Sequence, residues 1–108
     1  MAVNIDSRVP LEVLIDFQSV HRAAFRLFAR TAGGEWEFVK DGTGDQRTIL
    51  PPLPSGSALL YEFIYFAESR PFRAAVALRQ NGRLLPDGVI PVTAAGDVRF
   101  IQGEVDLV

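Results

Sequence analysis

The sequence predicts an all-β protein, a two-sheet antiparallel sandwich of about eight or nine short strands. Apolar residues recur mostly at every second position, which is the periodicity of strands rather than of helices. Clusters of Gly, Pro, Asn and Asp interrupt this pattern about every 8 to 12 residues, the spacing typical of sandwiches and small barrels. The length of 108 residues and the 48% apolar content fit one domain over residues 1–108 with its own core.

The segment 20–31 has two interpretations, because its apolar residues fit either a helix or a strand. We favour a strand, since a two-residue turn at Gly33-Gly34 then pairs it with 35–40 and matches opposite charges and apolar partners. The helical interpretation accounts for none of these charge and apolar pairs. The expected cross-strand pairs are Arg26–Asp41, Phe28–Val39, Ala29–Phe38, Arg30–Glu37 and Thr31–Trp36.

Turn residues delimit the other strands. A proline-rich stretch, 51–57, cannot pair into a sheet and is expected to carry the chain from one sheet to the other. Gly103 is expected to mark a bulge before the last strand segment. The expected strands are Leu11–Ser19, Gln46–Leu50, Leu59–Phe66, Phe72–Gln80, Val89–Thr93 and Glu104–Val108.

Two hairpins are expected in the second half of the chain. Asn81-Gly82 is the strongest two-residue turn signal, and a three-residue loop at 94–96 follows with Gly96 suited to a left-handed conformation. The expected pairs are Gln80–Arg83 and Leu78–Leu85 for the first hairpin, and Val92–Val98 and Ile90–Phe100 for the second.

The stretch from Leu53-Pro54 to Tyr61 is similar to the start of a strand in immunoglobulin-like and fibronectin type III domains. The Cys-Trp-Cys framework of immunoglobulins is absent, because the chain contains no cysteine. The likeness therefore implies an architecture, an immunoglobulin/fibronectin-III-like sandwich, and assigns no family.

Charge and composition exclude several classes of protein. A net charge of −2 argues against nucleic-acid and membrane-surface binding, which need a basic excess. The arginine stripe 22, 26 and 30 is expected to be neutralised by the acidic residues 35, 37 and 41 across the hairpin. We see no signal peptide or membrane span, and the absence of cysteine excludes thiol chemistry, so a cytoplasmic location is expected.

Catalysis and cofactors are not expected. His21 is the single histidine, and on an extended strand Ser19 and Asp16 would point along the strand instead of converging with it. Asp41, Thr43 and Asp45 place oxygens at alternate positions of a Gly-rich loop, but two carboxylates are few for calcium. We therefore predict no enzyme, no cofactor and no metal site, with Asp41 and Asp45 the weak calcium candidates.

The segment Leu59–Phe66 is apolar on both of its faces, although only one face of a sandwich strand packs inward. Either a partner covers the other face, or the proline-rich crossover or a terminal segment does. Small residues of the next strand, Ala75 and Ala77, are expected to lie beside it and form a shallow outer groove or a flat apolar patch. The predicted interface residues are Leu60, Glu62, Ile64, Phe66, Ala75 and Ala77.

The leading hypothesis is accordingly a non-enzymatic protein-interaction or structural module that self-associates, as a homodimer, through this face. The alternative is a small-ligand or carbohydrate-binding sandwich in which Trp36, Tyr61 or Tyr65 stacks on the ligand. A third hypothesis is a calcium-stabilised β-domain.

Overall fold

The computed structural model describes residues 1–66, 69–94 and 99–108, and these residues form an all-β sandwich of two sheets. The alternating apolar pattern is the cause, because it places one side of each strand in a shared core. The strands are β1 Ala2–Val3, β2 Leu11–Phe17, β3 Ala23–Arg30, β4 Glu37–Gly42, β5 Gln46–Leu50, β6 Ser57–Tyr65, β7 Phe72–Gln80, β8 Arg83–Ala94 and β9 Phe100–Leu107.

The larger sheet, sheet A, has the strand order β1-β9-β6-β3-β4, and sheet B has the order β5-β2-β7-β8. Sheet A is mixed, because β1 runs parallel to β9 whereas its other pairs are antiparallel. Both inner faces contribute to one core. Its largest fully buried side chains are Phe25, Phe63, Phe72, Leu11, Leu27, Leu59, Leu78 and Leu107.

The segment 20–31 contains a strand, β3, as predicted, and β3 pairs with β4. The expected pair Arg26–Asp41 is confirmed, but the register shifts between Leu27 and Phe28. Beyond the shift Phe28 faces Phe38, and Ala29 faces Glu37. The pairs expected for 28–31 are therefore wrong, because a β-bulge absorbs one extra residue of β4.

The proline-rich crossover is confirmed. It connects β5 in sheet B with β6 in sheet A. Ser57 Oγ donates a hydrogen bond to the Pro54 carbonyl oxygen at 2.7 Å. Gly56 has a φ of 92°, and its amide donates to the Leu107 carbonyl oxygen at 2.8 Å. The crossover is thus fixed to the end of β9.

The first C-terminal hairpin is confirmed at its turn. Asn81 and Gly82 both have positive φ, 52° and 74°, and Gln80 pairs with Arg83. The expected pair Leu78–Leu85 is wrong, because the register between β7 and β8 is irregular between Ala77 and Arg79. Strand β8 therefore runs through 87–88 without ending there.

The second expected hairpin is wrong. Strand β8 pairs with β7 in sheet B, whereas β9 pairs with β6 and β1 in sheet A, so Ile90 and Phe100 are not partners. Val98 lies outside the described residues. The bulge expected at Gly103 is also absent from the described pairing, since β9 keeps one regular register with β6 from Phe100 to Leu107.

Candidate functional site

Strand β6 presents two apolar faces, and only one of them lies in the core. Phe63 and Tyr65 are buried, whereas Ile64 is 47% exposed and Phe66, just after the strand, is 61% exposed. The even-numbered side chains of 60–66 therefore lie on the outer face of sheet A. The sequence leaves open which of the two faces lies in the core, and the structure places the even-numbered residues outside it.

The outer face of sheet A is defined by side chains from β9, β6, β3 and β4. Cross-strand pairing aligns Phe100, Ile64 and Ala24 in one row, and Leu60, Phe28 and Phe38 in another. The Phe28 and Phe38 rings contact edge to face with 5.9 Å between centroids. Phe28, Phe38 and Phe100 are missing from the predicted interface, because only the strand order brings them beside β6.

A polar row separates the two apolar rows. Arg26 Nε lies 3.0 Å from Glu62 Oε1, and Gln102 Nε2 donates to Glu62 Oε2 at 2.9 Å. Glu62 is only 8% exposed, so the carboxylate depends on these two partners for its solvation. Asp41 follows Arg26 in the same row on β4. The row thus alternates donors and acceptors across four strands.

The other arginines of the predicted stripe contact aromatic rings. Arg22 lies over the Phe66 ring at 5.6 Å, and Arg30 lies over the Trp36 ring at 4.6 Å. The expected opposition of Arg30 by Glu37 is not observed, because the bulge places Glu37 across from Ala29. Cation–π contact replaces charge pairing at both ends of the face.

Ala75 and Ala77 do not belong to this surface. Both are on β7, which lies in sheet B, so their outward side chains face the opposite side of the sandwich from Ile64. The shallow groove expected between β6 and β7 is therefore wrong. The outer face of sheet B also differs in chemistry, since Glu12 there lies 3.3 Å from Arg79 and 3.8 Å from Arg47.

Two adjoining hollows mark one end of the outer face of sheet A, with volumes of about 300 Å³ and about 420 Å³. Ala24, Thr43 and Ile64 line both of them. The small Ala24 side chain forms the hollow, and the branched Ile64 side chain stands beside it.

The three aromatic residues of the ligand hypothesis do not converge. Trp36 lies outside β4, against Arg30, so the pair expected between Thr31 and Trp36 is wrong. Tyr65 stacks on Phe72 in the core with 4.2 Å between ring centroids. Tyr61 packs against the same core. Burial raises the pKa of both tyrosines, Tyr61 and Tyr65, above the ordinary value.

The calcium candidates have other partners. Asp45 Oδ1 accepts the Phe17 amide at 2.8 Å, and Asp41 lies across from Arg26. Within residues 1–66, 69–94 and 99–108, no group of three or more carboxylate or imidazole side chains is placed to hold a metal ion.

His21 has structural contacts. Its Nδ1 lies 2.8 Å from Ser19 Oγ and its Nε2 lies 3.2 Å from the Arg70 carbonyl oxygen. Ser19 and His21 do meet, contrary to the expectation, because β2 ends at Phe17 and the chain bends there. Ser19 Oγ also accepts the Arg73 amide at 2.9 Å, so the cluster joins this bend to β7.

Comparison of the chain with protein-family models, with curated proteins and with solved structures finds no match. Among the described residues, no helix has the length and apolar character that crossing a bilayer requires. Inference about function therefore depends on the outer face of sheet A.

Proposed function

We propose that the protein is a non-enzymatic protein-interaction module that forms a homodimer through the outer face of sheet A. The observation that carries this proposal is the exposure of Ile64, Phe66, Phe38 and Phe100 on one face. Several large apolar side chains exposed on one face, here in two rows, are typical of interaction sites. Sheet B also exposes large apolar side chains, Ile49, Leu84 and Val89, but none of them is aromatic, and Glu12 with its two arginines lies among them.

Internal coverage of this face finds no support in the described chain. The crossover contributes Leu53 to the core, and β1 pairs at the edge of sheet A beside β9. Neither segment therefore lies over Ile64 or Phe66. A second copy supplies an apolar partner of the right kind, and two-fold homodimers are the commonest oligomers.

We further propose that the sandwich is of the immunoglobulin/fibronectin type III kind. In immunoglobulins, strands G, F, C and C′ form one sheet and A, B and E lie in the other. The order β9-β6-β3-β4 matches the first set, and β2 beside β5 matches B beside E. The β7–β8 hairpin occupies the side of β2 where strand A would lie.

We also propose a cytoplasmic location for the protein, which is consistent with its lack of cysteine.

The substitution Ile64→Asp tests the interface. A carboxylate at position 64 of the apolar contact loses its hydration without gaining a partner, so we expect the variant to be a folded monomer. Light scattering over a concentration series measures the mass, and circular dichroism measures folding. The matched control is Ile49→Asp, which makes the same change at an exposed isoleucine of sheet B and is expected to leave association unchanged.

Phe63→Ala gives the contrasting result from the neighbouring position. Phe63 is fully buried and contacts the Phe17 and Phe72 rings, so its loss leaves a core cavity. We expect a loss of ~3–5 kcal/mol in the free energy of unfolding. A wild-type protein that stays monomeric at every concentration would contradict the proposed function. An Ile49→Asp variant that dissociates would move the interface to sheet B.

A further inference from the structure

We infer that the second copy packs with its two-fold axis parallel to β3 and β6 and between them. This inference rests on the proposed function and specifies which residues of the two copies meet. β3 and β6 are the two central strands of the four that form this face, and they pair in a regular antiparallel register over the whole of β3. An axis along this strand pair places β3 of one copy over β6 of the other.

Each cross-strand pair then repeats between the copies. In a two-fold contact, if residue i meets residue j of the second copy, then j meets i. The pairs are Ala24–Ile64, Arg26–Glu62 and Phe28–Leu60. Each joins small with large, cation with carboxylate, or apolar with apolar. A strand pair that is complementary within one copy is therefore complementary between copies.

The polar row provides the charge complementarity. Arg26 contacts Glu62 of its own copy through Nε, which is one of the five N–H donors of a guanidinium. The Arg26 side chain is 47% exposed, so its other donors are accessible to acceptors of the second copy, whereas both oxygens of Glu62 are already bound within their own copy. Farther along the same row, Gln102 of one copy faces Asp41 of the other, an amide donor against a carboxylate acceptor.

The hollows provide the shape complementarity. Ala24 lies in the wall of both hollows, and Ile64 stands beside it. The proposed axis directs Ile64 of each copy into the hollow at Ala24 of the other. Aligned face-to-face packing of sheets has this interdigitation of large and small side chains.

The competing arrangement has its axis in the plane of the interface but perpendicular to the strands. An axis through the centre of the polar row would then set Arg26 against Arg26 and Glu62 against Glu62. Like charges juxtaposed in an interface are strongly unfavourable. Ile64 would face Leu60 of the second copy, a position displaced by roughly 13 Å along the strand from the one proposed.

Cysteine cross-linking distinguishes the two axes, because the natural chain has no cysteine. Single variants Ala24→Cys and Ile64→Cys are mixed at low concentration, concentrated and treated with a short bis-maleimide. The control mixture is Leu60→Cys with Ile64→Cys. We expect covalent dimer to form at least about tenfold faster in the first mixture, since effective concentration falls steeply with separation.

A second pair of cysteine variants lies in the polar row and leaves the side chains of both apolar rows unchanged. Asp41→Cys mixed with Gln102→Cys is expected to cross-link, and Gln102→Cys alone is not. Faster reaction in the 60/64 mixture, or in Gln102→Cys alone, would overturn the proposed axis while leaving self-association intact. Equal rates in all mixtures would also overturn it. A monomeric wild-type protein in light scattering would overturn the proposed function itself.

Discussion

Tyr65 shows at the scale of one residue how the inward face of β6 differs from a ligand site. Its ring stacks on Phe72, the residue is 5% exposed, and its hydroxyl has no hydrogen-bond partner among the described residues. A buried hydroxyl without a partner lowers the stability of the fold, because its hydrogen bonds to water are lost and no hydrogen bond within the protein replaces them. The polar atom of Tyr65 is thus a cost that the aromatic packing around it offsets.

We expect Tyr65→Phe to stabilise the fold by about 1 kcal/mol near neutral pH. Because burial raises the pKa of Tyr65, the unfolded chain ionises first as the pH increases, and the wild-type protein loses stability from about pH 10 upward. The variant is expected to lose less there. Urea unfolding at about pH 8 and about pH 10.5 measures both effects.

The tyrosine at position 61 separates the two contributions. Tyr61 also has a pKa raised by burial, so Tyr61→Phe is the control for alkaline loss at a half-buried site. A Tyr65→Phe protein with unchanged stability near neutral pH would show that the hydroxyl finds a partner in solution.

At the scale of elements, the contact between β6 and β9 depends on a glycine. A Cβ at Gly103 would collide with the Tyr61 hydroxyl and ring carbon Cζ, because the Tyr61 ring covers Gly103 on the inner face. The two residues are direct cross-strand partners. Gly103 therefore provides space for an aromatic ring, whereas the sequence pattern alone suggested a bulge.

We expect Gly103→Ala to lower the free energy of unfolding by about 1–3 kcal/mol, the usual effect of overpacking. In a Tyr61→Ala background the same substitution is expected to have little effect, since the colliding ring is gone. Gly44→Ala is the matched control, because a Cβ at Gly44 meets nothing within 4 Å. Chemical denaturation of the wild type, the two single variants Gly103→Ala and Tyr61→Ala, and the double variant measures the coupling between the two positions. Additive effects would contradict the proposed contact.

At the scale of the whole molecule, one core connects the two sheets while their outer faces differ. Sheet B carries ion pairs around Glu12 with exposed aliphatic side chains beside them, and sheet A carries rows that include exposed aromatic side chains on either side of Glu62. This asymmetry is what the proposed dimer uses. A two-fold contact that covers the outer face of sheet A leaves the outer face of sheet B in water.

Association linked to folding makes thermal stability depend on protein concentration. We expect the wild-type Tm to rise with concentration, because mass action favours the folded dimer over unfolded chains. The Ile64→Asp variant is expected to have a Tm independent of concentration. Differential scanning calorimetry over a roughly hundredfold range of protein concentration measures the Tm of both proteins. A concentration-independent Tm in both proteins would contradict a dimer coupled to folding.

Much of the fold was predictable from local patterns. The alternation in Leu11–Phe17 and Phe72–Gln80, the Asn81-Gly82 turn and the proline-rich crossover each follow from interactions between residues close in the chain. The division of β6 into two apolar faces was also predictable, because side chains alternate strictly along a strand, but which face is buried was not. These features determined the fold class and half of the candidate site.

The other half was decided by tertiary structure. Which strands become neighbours depends on packing between distant segments, so the sequence placed Ala75 and Ala77 beside β6 and paired β8 with β9, and both expectations were wrong. The bulge opposite Leu27 and Phe28 likewise appears only in the pairing of β3 with β4, and no local pattern of the sequence marked it. The sequence by itself determined that the chain is all-β and that one strand carries apolar side chains on both faces, although only one face of a sandwich strand is buried. Only the tertiary structure decided that Phe28, Phe38 and Phe100 lie with it, because cross-strand contacts join residues that no local pattern connects.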